Sequence, residues 1–164
     1  KENDHAAIQY HYDVSNAFYA EWLDPAMVYS CAYFEDGNES LEQAQQKKID
    51  HILAKLQLQP GQRLLDIGCG WGPIALALAL HSPKAKIYAI DVNERSLQLT
   101  KLNAEKLGIK NIVACKPEEV PQEVVFDEIW SNPPIRVGKK AAQILLNHWK
   151  ACVSVCQKNF LLKA

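Results

Sequence analysis

Arg63-Leu64-Leu65-Asp66-Ile67-Gly68-Cys69-Gly70-Trp71-Gly72, "RLLDIGCGWG", reads as a short apolar strand running straight into three alternating glycines. "PIALALALH" (73–81) follows as a helix with Pro73 near its first position. A tight strand–helix turn needs fewer glycines than this. Three of them let the backbone approach a ligand closely. A strand that feeds a helix through such a loop opens a parallel α/β sheet.

The elements downstream keep the same rhythm. "KIYAI" (86–90) is a strand, and "ERSLQLTKLNAEKL" (94–107) a helix closed by Gly108. "NIVAC" (111–115) and "VVFDEIW" (124–130) are strands. "KKAAQILLNHWK" (139–150) is a helix, and "ACVSVC" (151–156) is expected as a fifth strand. Alternation of this kind predicts a sheet covered by helices on both faces. Upstream the character differs. Residues 1–39 are aromatic-rich and irregular, with Ser15 expected to cap a helix over "NAFYAEWL" that Asp24-Pro25 ends. Ser40-Leu41-Glu42-Gln43 is a capping box. Ile49, Ile52, Leu53 and Leu56 then mark one face of an amphipathic helix, stopped by Pro60-Gly61. The expected organisation is a helical segment over 1–59 and an α/β core over 60–164, together one domain.

Composition narrows the function classes. The 164 residues are 48% hydrophobic and 23% charged, so the chain is globular rather than disordered. The net charge of -1 gives no overall electrostatic footprint for nucleic acid or an anionic membrane. "IALALALH" is too short to span a bilayer. Five cysteines, odd in number and without a C-x-x-C pair, predict neither a disulfide framework nor a metal site. Reduced thiols point to a cytoplasmic location. No signal-peptide pattern opens the chain, and its start at Lys1 suggests a trimmed N-terminus.

The glycine spacing chooses the ligand. It is G-x-G-x-G, not the G-x-G-x-x-G of dinucleotide sites. Asp66, two residues before Gly68, would repel a pyrophosphate but attract the ammonium and sulfonium of S-adenosyl-L-methionine. Asp91, at the end of the second strand, suits a carboxylate that accepts from both ribose hydroxyls. Alone it could also be a solvated neighbour of a helix N-cap, the lesser of the two readings.

"DIGCGWG" resembles motif I of the class I methyltransferases. The resemblance implies a Rossmann-like, mostly parallel sheet of strand order 3-2-1-4-5 that binds S-adenosyl-L-methionine. Asp66, Gly68, Cys69, Gly70, Gly72, Asp91 and Val92 form the cofactor set. Such enzymes carry two further strands, and residues after Cys156 are read as supplying neither. A cofactor-binding fold without turnover is therefore one alternative function.

The fourth strand exits through "SNPPIRVGKK" (131–140). Two prolines remove two backbone donors and leave a rigid loop of acceptors. The Asn132 side-chain oxygen and the Pro133 carbonyl can hold both N–H groups of a planar amine and aim its lone pair at a methyl group. "SNPPI" resembles the N-P-P-x motif of enzymes that methylate such amines. "FDEIWSNPPIRVGKKA", with "GPIALALA", "DVNERSLQL" and "VSVCQKNF", resembles the small-subunit ribosomal RNA guanine-N2 methyltransferases over residues 60–160. That resemblance implies an RNA substrate and an acceptor site of Asn132, Pro133 and Pro134. Ile135 takes the place where an aromatic would stack on the base. Arg136, Lys139 and Lys140 would face phosphates, or form a solvated charge cluster.

The front of the chain resembles something else. "IQYHYDVSNAFYAEWLDPAMVYSCAYF" and "LEQAQQKKIDHILAKLQLQPGQRLLDIGCGWG", within residues 8–72, are similar to the cyclopropane-fatty-acid synthases, including the mycolic acid group. This implies that residues 1–59 lid the cofactor, with Tyr29 and Ser30 at its methionine end and Cys31 near a bicarbonate base. The substrate would be an unsaturated phospholipid at a membrane surface. The cluster Tyr10, Tyr12, Phe18, Tyr19 and Trp22 reads as packing of the lid. In that family a glutamate just after the fourth strand also holds the bicarbonate. Here "SNPPIRVG" stands there, and no glutamate follows Glu128. The chain thus reads as a lipid-synthase front joined near Gly72 to an RNA-methyltransferase back. Methylation of an RNA base amine is the leading expectation, and lipid methylation the alternative.

Overall fold

The computed structural model describes residues 16–25, 28, 30–131, 149 and 160–162. The chain forms two compact units, residues 1–51 and 52–164.

In the first unit, helix α1 (Asn16–Ala20) is shorter than "NAFYAEWL" predicts. It unwinds through a turn in which the N–H of Trp22 donates to the Tyr19 carbonyl at 3.3 Å. Asp24, 4% exposed, accepts from the Val28 N–H at 2.9 Å. Phe18, Tyr19 and Trp22 pack edge-on or tilted against one another, with Phe18 and Trp22 exposed. Tyr10 and Tyr12 lie outside the described residues. Between Glu35 and Glu39 the chain loops on itself. The Glu39 carboxylate accepts from the N–H groups of Glu35, Asp36 and Gly37 and pairs with Lys47 at 2.8 Å. The Lys47 ammonium, then these backbone donors, hold its carboxyl well below the usual carboxylate range. Helix α2 (Leu41–Leu56) begins at the predicted capping box. The Ser40 N–H donates to Gln43 Oε1 at 2.9 Å, and the Gln43 N–H to Ser40 Oγ at 3.2 Å.

In the second unit, strand β1 (Arg63–Ile67) lies between β2 (Lys86–Ile90) and β4 (Glu128–Ser131), parallel to both. Strand β3 (Ile112–Cys115) extends the sheet beside β2, and β5 (Phe160–Leu162) beside β4. The order β3-β2-β1-β4-β5 is the predicted one. The segment "ACVSVC" (151–156), expected as the fifth strand, lies outside the described residues, and among these the strand pairing with β4 is Phe160–Leu162.

Alternation along β1 explains why both faces are covered. Leu64 packs into one cluster with Ala75, Leu78, Ile87, Leu97 and Trp130. Leu65 and Ile67 pack into the other, with Ile90, Phe126, Ile129 and Trp149. Helix α3 (Pro73–His81) is apolar nearly all round and buries Ala75, Leu76, Leu78 and Ala79. Helix α4 (Glu94–Lys106) starts at Asn93, whose side chain accepts from the Arg95 and Ser96 N–H groups. Register is set at the start of the central pair. Asp127 Oδ2 accepts from the Arg63 N–H, and the Asp127 N–H donates to the Arg63 carbonyl, both at 2.8 Å.

One side chain ties α3 to the sheet. Asn111 Nδ2 lies 3.1 Å from the Ala79 and Ser82 carbonyls and 3.0 Å from that of Ala85. Asn111→Ala removes this donor from the three carbonyls, of which that of Ser82 keeps the Ala85 N–H, and is expected to destabilise the chain by about 1–3 kcal/mol. Asn111→Asp, which turns an acceptor toward them, should cost more. Urea unfolding measures both; unchanged midpoints would refute the role.

Candidate functional site

Chain order reverses at β1. The chain steps outward through β2 and β3, then returns to the other side of β1 as β4. At such a switch point the carboxyl ends of two strands open a crevice. The loop 68–72 leaves β1 at that point. Gly68, Gly70 and Gly72 have φ of 75°, 59° and 90°, left-handed values that strain any other residue. Trp71 is half-buried between the last two.

The loop is fastened to its neighbours at every step. The Gly68 and Cys69 N–H groups both donate to the Ile90 carbonyl, at 2.9 and 3.0 Å. The Gly70 N–H donates to Asp91 Oδ2 at 2.9 Å, and the Asn93 N–H to Asp91 Oδ1 at 2.8 Å. Asp91 is therefore both the neighbour of a helix cap and an anchor for the glycine loop. Each of its oxygens keeps a further lone pair for a ligand hydroxyl. Thr100, fully buried on α4, donates its hydroxyl toward the Gly70 carbonyl at 3.1 Å, with the Ser96 carbonyl at the same distance. A Cβ on Gly72 would come within 2.7 Å of the Thr100 side chain. Gly72 is thus required twice, by its backbone angle and by its packing.

The charged groups are unequally placed. Asp66 is 3% exposed. It hydrogen-bonds with the Ala75 backbone, while Oδ2 has no partner among the described residues. Burial first, then the Asp91 charge, push its pKa up to about 7. Burial, then the charges of Asp66 and Asp91, push the Cys69 thiol up, so it stays protonated. Cys69 belongs to the packed core, where its backbone shapes the loop. Val92 is 83% exposed, an apolar surface beside Asp91. Ser131, fully buried at the end of β4, donates to the Ile67 carbonyl at 3.3 Å and closes the gap between β4 and β1.

The structure thus brings Asp66, Gly68, Cys69, Gly70, Gly72, Asp91 and Val92 together at one end of the sheet. Ser30, in the first unit, accepts from Lys48 at 2.8 Å. Tyr29, Asn132, Pro133, Pro134, Ile135, Arg136, Lys139 and Lys140 lie outside the described residues. Sequence reasoning missed Thr100 and Ser131. The signal for Thr100 was a hydroxyl on the helix face that also carries Leu97 and Ala104.

The site's chemistry suits S-adenosyl-L-methionine. It offers a carboxylate for hydroxyl donors, backbone without Cβ atoms, an apolar rim and a buried acid with an orphaned oxygen.

Comparison with known proteins bears on both halves of the chain. The family model of mycolic acid cyclopropane synthetase matches residues 1–158, continuing well past Gly72. A probable fatty acid methyltransferase of Pseudomonas putida is 43% identical over 134 residues, 80% of this chain and 34% of its own. Cyclopropane mycolic acid synthase 2 of Mycobacterium leprae (strain TN) is 48% identical over 106 residues, 65% of this chain and 32% of its own. Among solved structures, mycolic acid cyclopropane synthase CmaA1 complexed with SAH and CTAB superposes with a TM-score of 0.72 at 28% identity. That alignment covers 92% of this chain and 53% of CmaA1. This chain spans about a third of the length of these two curated relatives. The comparisons favour the cyclopropane-synthase reading over the RNA-methyltransferase one, which none of these relatives supports. The fold is that of the class I methyltransferases, and the chain belongs to the mycolic acid cyclopropane synthetase family.

Proposed function

We propose that the chain is the cofactor-binding part of a lipid methyltransferase of the cyclopropane-synthase type, acting on the alkene of an unsaturated fatty-acyl chain. The observation that carries this is the clasped glycine loop, with Gly70 held by Asp91, in a chain matched by that family over residues 1–158. S-adenosyl-L-methionine, when bound, supplies an electrophilic methyl group on a sulfonium.

The residues of the chain divide the remaining work. Asp91 offers its free lone pairs to the ribose hydroxyls. The glycines let the loop backbone approach the ligand. Val92 gives the adenine an apolar surface. Asp66 places negative charge behind the loop, complementary to a cationic ligand. A cationic ligand draws the Asp66 carboxyl toward its ionised form, so binding near neutrality releases a proton. Transfer to an alkene leaves a carbocation that must lose a proton to a base. Residues 129–164 contain neither aspartate nor glutamate, so no carboxylate side chain of that segment is this base.

The test is labelled-methyl transfer, with vesicles of unsaturated phospholipid and a guanine-bearing RNA offered separately. Label in lipid and none in RNA is expected. Label in RNA, lost in Asn132→Ala, would restore the amine-acceptor reading. Cofactor binding without label in either would make the chain a binding module.

A further inference from the structure

Asp36-Gly37 is the one Asp-Gly pair in the sequence, and Asn-Gly does not occur. Such a pair is chemically labile for a steric reason. Glycine has no Cβ beside its nitrogen, so that nitrogen can reach the preceding side-chain carboxyl. The nitrogen lone pair of Gly37 forms a bond to Asp36 Cγ. The carboxyl hydroxyl and the amide proton leave as water, and a five-membered imide closes. Water then adds back at one of two carbonyls. Addition at Cγ restores the aspartate. Addition at the main-chain carbonyl leaves isoaspartate, whose chain runs through Cβ and Cγ and is one methylene longer.

The loop engages both reacting groups elsewhere. The Gly37 N–H donates to Glu39 Oε2, and Asp36 Oδ1 accepts from the Asn38 N–H, each at 3.0 Å. Glu39 Oε1 accepts from the Glu35 N–H at 2.9 Å, so one carboxylate grips the chain on both sides of Asp36. Lys47, on α2, lies 2.8 Å from Glu39 and from Glu35. The Glu39 side chain is 7% exposed, whereas Asp36 and Gly37 are exposed. Closing the imide requires Asp36 to turn about its backbone and side-chain bonds, and the clasp resists this. The carboxylate that receives the Gly37 N–H is also a weak base, since Lys47 and further N–H groups stabilise its charge. We propose that Asp36-Gly37 is a latent isoaspartate site that the Glu39–Lys47 clasp keeps closed. The added methylene would move the Glu35 and Gly37 N–H groups apart, so the clasp is lost with the first reaction.

The experiment is incubation of the full chain in neutral buffer, well below its melting temperature. Peptide mapping with electron-transfer fragmentation tells the two isomers of equal mass apart. The synthetic peptide "FEDGNESL" (34–41) gives the unrestrained rate. The parent chain should form isoaspartate at least about tenfold more slowly than the peptide. Glu39→Ala should speed the chain by about tenfold, as for the loss of a charge-assisted hydrogen bond. Melting curves show that each variant is folded. Should Glu39→Ala fail to fold, Lys47→Met loosens the same carboxylate and should raise the rate by about threefold. Asp36→Ser should abolish the product, which fixes its position. A parent chain as fast as the peptide would overturn the proposal. So would a folded Glu39→Ala chain no faster than the parent; a slower one would make Glu39 the base that drives the reaction.

Discussion

Asp91→Ala is expected to weaken S-adenosylmethionine by more than about 100-fold, roughly 3 kcal/mol. Two losses combine. The ribose hydroxyls lose their charged acceptor, an interaction of about 1.5–3 kcal/mol by itself. The Gly70 and Asn93 N–H groups also lose the carboxylate that holds them. The glycine loop then has fewer restraints, and part of the binding energy must go into ordering it. Asp91→Asn should lie between, because one side-chain oxygen remains. Calorimetric titration gives the affinities, and a parallel melting curve shows that the core is folded. An Asp91→Ala protein that binds as the parent does would remove Asp91 from the site.

The second large effect concerns pH. Asp66 and Glu128 are both 3% exposed, each with one oxygen lacking a partner among the described residues. Both have pKa values pushed up to about 7, mainly by burial. In the folded chain each therefore holds its proton over a range where the unfolded chain has released it. Stability falls wherever the native state binds more protons and pH rises. Without ligand, the chain should be most stable near pH 4–5, lose stability as pH rises to about 7, and level off above. For Asp66 alone the full loss is roughly 4 kcal/mol. Asp66→Asn should therefore unfold at higher urea than the parent at pH 8, and at about the same urea at pH 4. Urea midpoints across that range test this. A parent that gains stability from pH 5 to pH 8 would refute the assignment for both acids.

The central strands were readable because several signals agree there. "RLLDI" and "KIYAI" are apolar, short and bounded by glycines or a carboxylate, and the structure keeps both boundaries. The edges were less readable. β4 begins at Glu128, later than "VVFDEIW" suggests, with Asp127 bonded to Arg63 just before it. β5 is three residues long, and its place depends on pairing with β4 rather than on local composition. The glycine loop and Asp91 were legible as ligand contacts from spacing. That Asp91 also clasps Gly70 was not, since this needs the ends of β1 and β2 side by side.

Trp71 gives the ligand loop its own optical reporter. Its indole stands half-buried between Gly70 and Gly72, whereas Trp130 and Trp149 are buried on opposite faces of the sheet. A ligand that settles on the loop changes the polarity around one indole and leaves the two core indoles in place. Emission from Trp71 can therefore follow occupancy, while the core pair follows unfolding. With the exposed Trp22 replaced by phenylalanine, one unlabelled chain thus separates the two events by fluorescence.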